Sequence, residues 1–133
     1  PPPKRIHPMT KPLALRLLAP TFAVCTLPSD AALPDIEAEF FSITRTADEL
    51  SLVVPEADIP RDAIAESGWR GLQVQGPLPF DMIGVLANLS APLARAGISI
   101  FSLSTYQTDI LFVRQDDLDR AQSTLAAAGH PTV

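Results

Sequence analysis

The sequence predicts an α+β protein of two small halves, each an antiparallel sheet with helices on one face. Three observations carry that reading. Short β-prone runs bounded by proline or glycine recur along the 133 residues. Residues 81–97 and 116–128 carry apolar side chains at helical spacing. Finally, FSITRTADELSLVV at residues 41–54 returns sixty positions later as FSLSTYQTDILFV at 101–113. Phe41, Ser42, Ile43 and Thr44 match Phe101, Ser102, Leu103 and Ser104 in this repeat, Glu49 falls on Asp109, and Leu50, Leu52 and Val53 fall on Ile110, Phe112 and Val113.

Taken in order, residues 1–12 hold five prolines and are expected as an extended, unpaired arm. Residues 13–18 and 22–27, separated by Pro20, read as a hairpin. The proline-broken linker 28–39 leaves room only for a helical turn. Residues 40–45 and 49–55 form a second strand pair, and 59–67 a short helix with Pro60 in its first turn. The first half therefore spans 13–67 and the second 68–133. In the second half, residues 69–75 alternate as a half-buried strand. From Asp81 as N-cap, the stripe Met82, Ile83, Val85, Leu86, Leu89 and Leu93 predicts a helix that bends at Pro92 and stops at Gly97. Residues 98–104 and 109–114 are strands, 116–128 a helix closed by Gly129, and 130–133 a last short strand, giving βαββαβ.

Composition narrows the function. Fifteen acidic against ten basic residues, with no basic cluster beyond Lys4-Arg5, leave no footprint for a phosphate backbone, so no nucleic acid is expected as partner. No apolar run is long enough to span a bilayer, so no membrane partner is expected. A lone Cys25 and no secretory leader point to a reducing, cytoplasmic setting. Cys25 sits in an apolar strand without a neighbouring cation and reads as a structural thiol. His7 and His130 have no partners at metal-ligand spacing, and the common nucleophile, phosphate-loop and zinc motifs each lack a member. Neither an enzyme nor a cofactor or metal is expected.

The stretch GWRGLQVQGPLPFDMIGVLANLSAPLARAGISIFSLSTYQTDILFV resembles the ACT-domain regulatory proteins. Together with FAVCTLP and FFSITRTADELSLVVPE, it is most similar to small tandem-ACT proteins related to the regulatory domains of aspartate kinases and to the cytosolic arginine sensors. The resemblance implies two ferredoxin-like ACT modules, the first degenerate because its linker cannot form a full helix. It also implies a small effector, usually an amino acid, bound between the loop entering the first helix and the polar turn of the strand pair. Here those are residues 76–81 on one side, with Pro79, Phe80, Asp81 and the following Met82 as candidate contacts, and residues 102–109 on the other, with Ser104, Thr105 and Asp109. A helix N-terminus suits a carboxylate and Asp109 an ammonium. In the arginine sensors an acidic residue follows the position of Asp81; Met82 stands there in this chain, which favours a small or apolar amino acid over arginine.

Each of these residues also has a plainer role: Ser104 and Thr105 as turn residues, Asp81 as a cap, Asp109 as a solvated strand-start carboxylate. The expected function is a non-catalytic metabolite sensor. The alternative is an interaction module without a small ligand, whose sheet edges pair with a second chain. Either reading makes a homodimer the expected assembly.

Overall fold

The structure is a computed structural model that describes residues 7–8, 12–76, 78 and 82–133. It is a mixed α+β fold in which antiparallel strands predominate. The strands are β1 (His7–Pro8), β2 (Leu15–Leu27), β3 (Ser42–Arg45), β4 (Leu50–Pro55), β5 (Ile64–Val74), β6 (Met82–Ile83), β7 (Ile100–Ser104) and β8 (Asp109–Arg114). The helices are α1 (Val85–Arg95) and α2 (Leu118–Ala127). The chain divides into two compact units, a larger one of Pro1–Leu18 with Gly71–Val133 and a smaller one of Ala19–Arg70.

In the larger unit the strand order is β2-β5-β8-β7. Its core gathers one face of these strands (Leu15, Leu72, Val74, Leu111, Val113) against Val85, Leu89 and Leu93 of α1 and Leu118, Ala121 and Leu125 of α2. The period of two on the strands and the 3.6-residue stripe on the helices meet in one apolar layer, which is why each element forms where it does. Both helices end as the glycines foretell. Gly97 (φ +72) and Gly129 (φ +95) take the left-handed backbone after each last turn, and the N–H groups of Ile98 and His130 return to the carbonyls of Leu93 and Leu125 at 2.9 and 2.8 Å. Pro92 lies inside α1. Arg120 of α2 donates to the Ala96 carbonyl just past the end of α1, at 2.7 Å.

The start of α1 corrects the sequence expectation. Gly84 at φ +85 precedes the helix, a backbone that no helical interior accommodates. Met82 and Ile83 consequently leave the helical stripe and form β6, which pairs in parallel with β1, so the arm is not wholly unpaired. The Asn88 N–H bonds to the Gly84 carbonyl at 2.8 Å, so the N–H groups of Val85, Leu86 and Ala87 are the first-turn donors without a partner inside the helix.

The chain's last residues complete the larger unit. Leu15 N–H donates to the Pro131 carbonyl at 2.9 Å and Val133 N–H to the Leu15 carbonyl at 2.8 Å, a single parallel bridge in place of the expected last strand. His130 is buried, and its Nδ1 accepts the Leu13 N–H at 3.0 Å. Burial pushes this imidazole below its ordinary value of about 6.5. Above that pH the ring is neutral in both folded and unfolded chains. As pH falls through 6.5 and on through the lowered folded value, the unfolded chain takes up a proton first, so stability declines on acidification. Urea midpoints at pH 7.5 and 5.5 should show this decline, and His130→Ala should abolish that part of it. The variant also strands the Leu13 N–H, at a cost of about 1–3 kcal/mol at neutral pH.

In the smaller unit the order is β3-β4-β2-β5, and among its described residues there is no α-helix. Its core is Ala23, Cys25, Leu50, Leu52 and Val54, packed by Ala31 and Ile36 of the linker and by Ile59 and Ala63. Phe22 and Phe40 meet edge to face, centroids 5.7 Å apart. Two sequence expectations fail here. The expected hairpin around Pro20 is one 13-residue strand, β2. Pro20 is exposed, and the ladder with β4 begins beyond it at Phe22, so its missing N–H costs that ladder nothing. The expected helix at 59–67 is instead one turn, closed by Ala63 N–H to the Pro60 carbonyl at 3.1 Å, followed directly by β5. Residues 64–67 are all exposed, so no apolar face existed to hold a helix down.

Candidate functional site

The hairpin β7/β8 builds the polar side of a cavity in the larger unit. Its ladder closes at Ser104↔Asp109, leaving a four-residue loop. The loop is tied within itself: Thr105 N–H donates to the Thr108 carbonyl at 2.8 Å, and Thr105 Oγ1 accepts the Thr108 N–H at 3.2 Å. It is also tied outward, because the buried Thr108 hydroxyl donates to the Val74 carbonyl of β5. Leu78 N–H donates to the Gln107 carbonyl at 2.8 Å, and a Cβ on Gly76 would lie 2.8 Å from that same oxygen. Only glycine lets residue 76 pass so close to the loop. The turn is long and polar because each of these bonds needs a donor or acceptor that a two-residue hairpin lacks.

Alternation along the strands puts Asp109 on the same face as Leu111 and Val113, the face that packs on the helices. Asp109 thus stands at the mouth of the core, half-buried, where the apolar layer stops. Ser104 Oγ donates to Asp109 Oδ1 at 2.6 Å, which fixes the carboxylate and leaves its other oxygen free of any described partner. A cavity of about 210 Å³ opens there. Ser104, Thr105, Thr108 and Asp109 line one side of it, Leu78, Met82 and Val85 the other, with Tyr106 and Gln107 from the loop tip. The volume is below the ~300–1,000 Å³ of drug-sized sites, so the space suits a small metabolite.

Of the expected site residues, Met82, Ser104, Thr105 and Asp109 all line this one cavity. Pro79, Phe80 and Asp81 lie outside the described residues. Leu78, Tyr106 and Gln107 fall inside the two expected segments, 76–81 and 102–109, without having been singled out, and Val85 lies outside both. Val85 could have been found from helix phase, since it precedes Leu89 by four residues; Tyr106 and Gln107 follow from the loop length alone.

The smaller unit contains the counterpart hairpin, and its register corrects the repeat alignment by one residue. The β3/β4 ladder closes at Arg45↔Leu50. Thr46 N–H donates to the Glu49 carbonyl at 2.9 Å, and Thr46 Oγ1 accepts from the Asp48 and Glu49 N–H groups at 3.1 and 3.2 Å. Thr46 is therefore the equivalent of Thr105, Glu49 of Thr108, and Leu50, not Glu49, of Asp109. A one-residue slip exchanges the faces of a strand, so the distinction is chemical. Leu50 is fully buried where the other hairpin presents a carboxylate. Glu49 instead anchors its loop by accepting from Thr26 Oγ1 of β2 at 3.0 Å, where Thr108 anchors its own by donating to the Val74 carbonyl of β5. Arg45, at the place of Ser104, donates to the linker carbonyls of Ser29 and Ala31. The smaller unit has closed with linker and leucine what the larger unit leaves open.

Cys25 is buried in that closed core, and burial pushes its thiol up, away from the reactive thiolate. No cluster of three or more His, Cys, Asp or Glu side chains able to hold a metal occurs among the described residues. No helix among them is long and apolar enough to cross a membrane.

Comparison with known proteins agrees with this architecture. The model of the ACT domain family matches residues 64–127, and a second family model, of an N-terminal domain, matches 20–62. The chain is 34% identical over 99 residues to cytosolic arginine sensor for mTORC1 subunit 1 of Bos taurus, covering 66% of this chain and 30% of that protein. The chain spans less than two-thirds of the length of the curated relatives it matches, 63% of one and 30% of the arginine sensor. A crystal structure of an Agrobacterium tumefaciens protein superposes with a TM-score of 0.86 at 36% identity, covering 93% of this chain and 94% of that one. Aspartate kinase of Clostridium acetobutylicum superposes with a TM-score of 0.64 over 95% of this chain and 36% of that one; at 15% identity this is a likeness of fold. With the matched family model and the sensor's sequence pointing the same way, the chain belongs to the ACT-domain family through residues 64–127, is related in sequence to the cytosolic arginine sensors, and shares its fold with the aspartate kinases.

Proposed function

We propose that this protein is a non-catalytic regulatory sensor that binds a free amino acid in the cavity between Asp109 and α1. The observation that carries the reading is the Ser104–Asp109 pair set opposite Leu78, Met82 and Val85 in one small space. A zwitterion has two poles and a side chain, and the cavity offers a match for each. The free oxygen of Asp109 takes the ammonium, the open N–H groups at the start of α1 take the carboxylate, and the apolar wall takes the side chain. With no carboxylate among the described residues lining that apolar side, the side chain it favours is small or apolar rather than a guanidinium. A relative, the cytosolic arginine sensor, senses an amino acid, which supports this class of ligand.

The proposal extends to organisation. The two halves act as tandem ACT modules of which only the second keeps a working site, with Pro79, Phe80 and Asp81 proposed as ligand residues beside Met82. The chain works as a cytoplasmic homodimer, and ligand binding shifts the population of closed forms. The competing reading is an interaction module: β7 ends the strand order with one neighbour and offers an edge for pairing.

A panel of the twenty amino acids in a thermal-shift measurement tests the sensor reading. A ligand at about 100 times its dissociation constant adds roughly 2.7 kcal/mol, which raises the melting temperature of a chain this size by several degrees. One amino acid or a small apolar group should do so. A folded protein that no member of the panel stabilises refutes the sensor and favours the interaction module.

A further inference from the structure

We propose a second binding site, on the other side of the loop seam, that takes the carboxylate of a small organic acid. A cavity of about 250 Å³ opens there, within the larger unit and lined by Arg16, Gln73, Gln75 and Gln107, with Val74, Gly76 and Thr108 at its back. Gln75 N–H donates to the Ala14 carbonyl at 2.9 Å, which sets Arg16 of β2 beside Gln73 of β5. These side chains project from the face opposite the helices, since Leu15, Leu72 and Val74 are the ones that pack on α1 and α2.

The chemistry of the lining is one-sided. The chain has fifteen acidic residues against ten basic, yet no carboxylate among the described residues lines this cavity. Arg16 has no hydrogen bond or ion pair with any described residue, so its five N–H donors are uncommitted. The three glutamines add amide donors around it, and none of their side chains is engaged by a described residue. A guanidinium fork meets a planar carboxylate through two parallel bonds, a geometry that a tetrahedral or spherical anion matches less well. Glutamine amides contribute orientation without competing charge. The cavity is distinct from the amino acid site yet shares Gln107 and Thr108 with it, the residues that Gly76 approaches so closely.

The test is a titration of the 133-residue chain with sodium succinate, followed by ¹⁵N-resolved NMR at ionic strength matched with sodium chloride, with inorganic phosphate as a parallel arm. Saturable shifts are expected for the amides of Gln73, Gln75, Gly76 and Gln107 with succinate. Arg16→Gln should weaken the apparent affinity roughly tenfold or more, and Arg16→Lys, which keeps charge but loses the fork, by less. Gln73→Glu, which brings a carboxylate to the wall, should weaken it independently, with undisturbed spectra elsewhere confirming the fold. Shifts no larger than those from chloride, full affinity in Arg16→Gln, or saturation by phosphate alone would each overturn the assignment.

Discussion

Leu50→Asp is expected to unfold the smaller unit. The substitution writes into one hairpin the residue that its counterpart carries at the same ladder position, where Asp109 is tolerated and half-buried. At position 50 the side chain is fully buried among Ala23, Cys25, Leu52 and Val54. Two costs add: the lost leucine packing, about 2–5 kcal/mol, and a carboxyl group with no partner in an apolar core, which must either ionise there or stay protonated at the expense of its hydration. The sum reaches the scale of a whole domain's stability, roughly 5–15 kcal/mol. Hydrogen exchange of the Cys25, Leu52 and Val54 amides should lose its protection. Retention of that protection would mean that Leu50 is not the structural equivalent of Asp109 in an otherwise closed core.

Leu89→Ala is expected to cost about 2–5 kcal/mol, the range for truncating a buried leucine whose surroundings cannot collapse. Leu89 is fully buried at the centre of the layer joining α1 to β5 and β8. Helix α1 has 11 residues, carries Pro92 in its interior and starts from Gly84 without a side-chain cap, so packing must supply most of its stability. A loss near 3 kcal/mol lowers the melting temperature by on the order of 10 °C. The effect extends to the proposed function, because the same helix presents Val85 to the cavity. Calorimetric unfolding combined with ligand titration should show both losses. A variant within 1 kcal/mol of the wild type, far below what cavity formation demands, would contradict this account of α1.

The parts of the fold that were legible in the sequence are those in which periodicity and punctuation agree. The β7/β8 and β3/β4 hairpins, the two helices and their glycine stops follow from apolar spacing and from residues able to take a left-handed backbone. Pro20 misled because proline breaks a ladder only where its N–H is needed, and sequence does not say which strand faces it. The segment 59–67 misled because Pro60 can open a helix or a lone turn, and the choice depends on an apolar face that Ile64, 76% exposed, does not have.

The two hairpins share a threonine turn, one residue away from the match that the sequence suggests. Side-chain likeness favoured matching Phe41 with Phe101, whereas the ladder and the threonine turn match Thr46 with Thr105. Resemblance of one residue to another cannot fix register when both strands are apolar on two faces. The candidate site was reached through Asp109, Ser104, Thr105 and Met82, yet its equivalent in the first half was assigned to Glu49, a loop anchor. Arg16 was invisible as a site residue, since its neighbours Gln73 and Gln75 are more than fifty positions away and come beside it only through the β2/β5 ladder.

The central claim is that Asp109 supplies the counter-charge for a bound amino acid. Isothermal titration of wild type and Asp109→Asn, with the amino acid that raises the melting temperature most, measures it directly. Asparagine keeps the volume and can still accept the Ser104 hydroxyl, but leaves the ammonium without an anion. Loss of one charge-assisted hydrogen bond is worth about 1.5–3 kcal/mol, so affinity should fall roughly tenfold or more while the unfolding curve stays close to that of the wild type. Equal affinity in the two proteins would remove Asp109 from the site and contradict the reading of this cavity as an amino acid pocket.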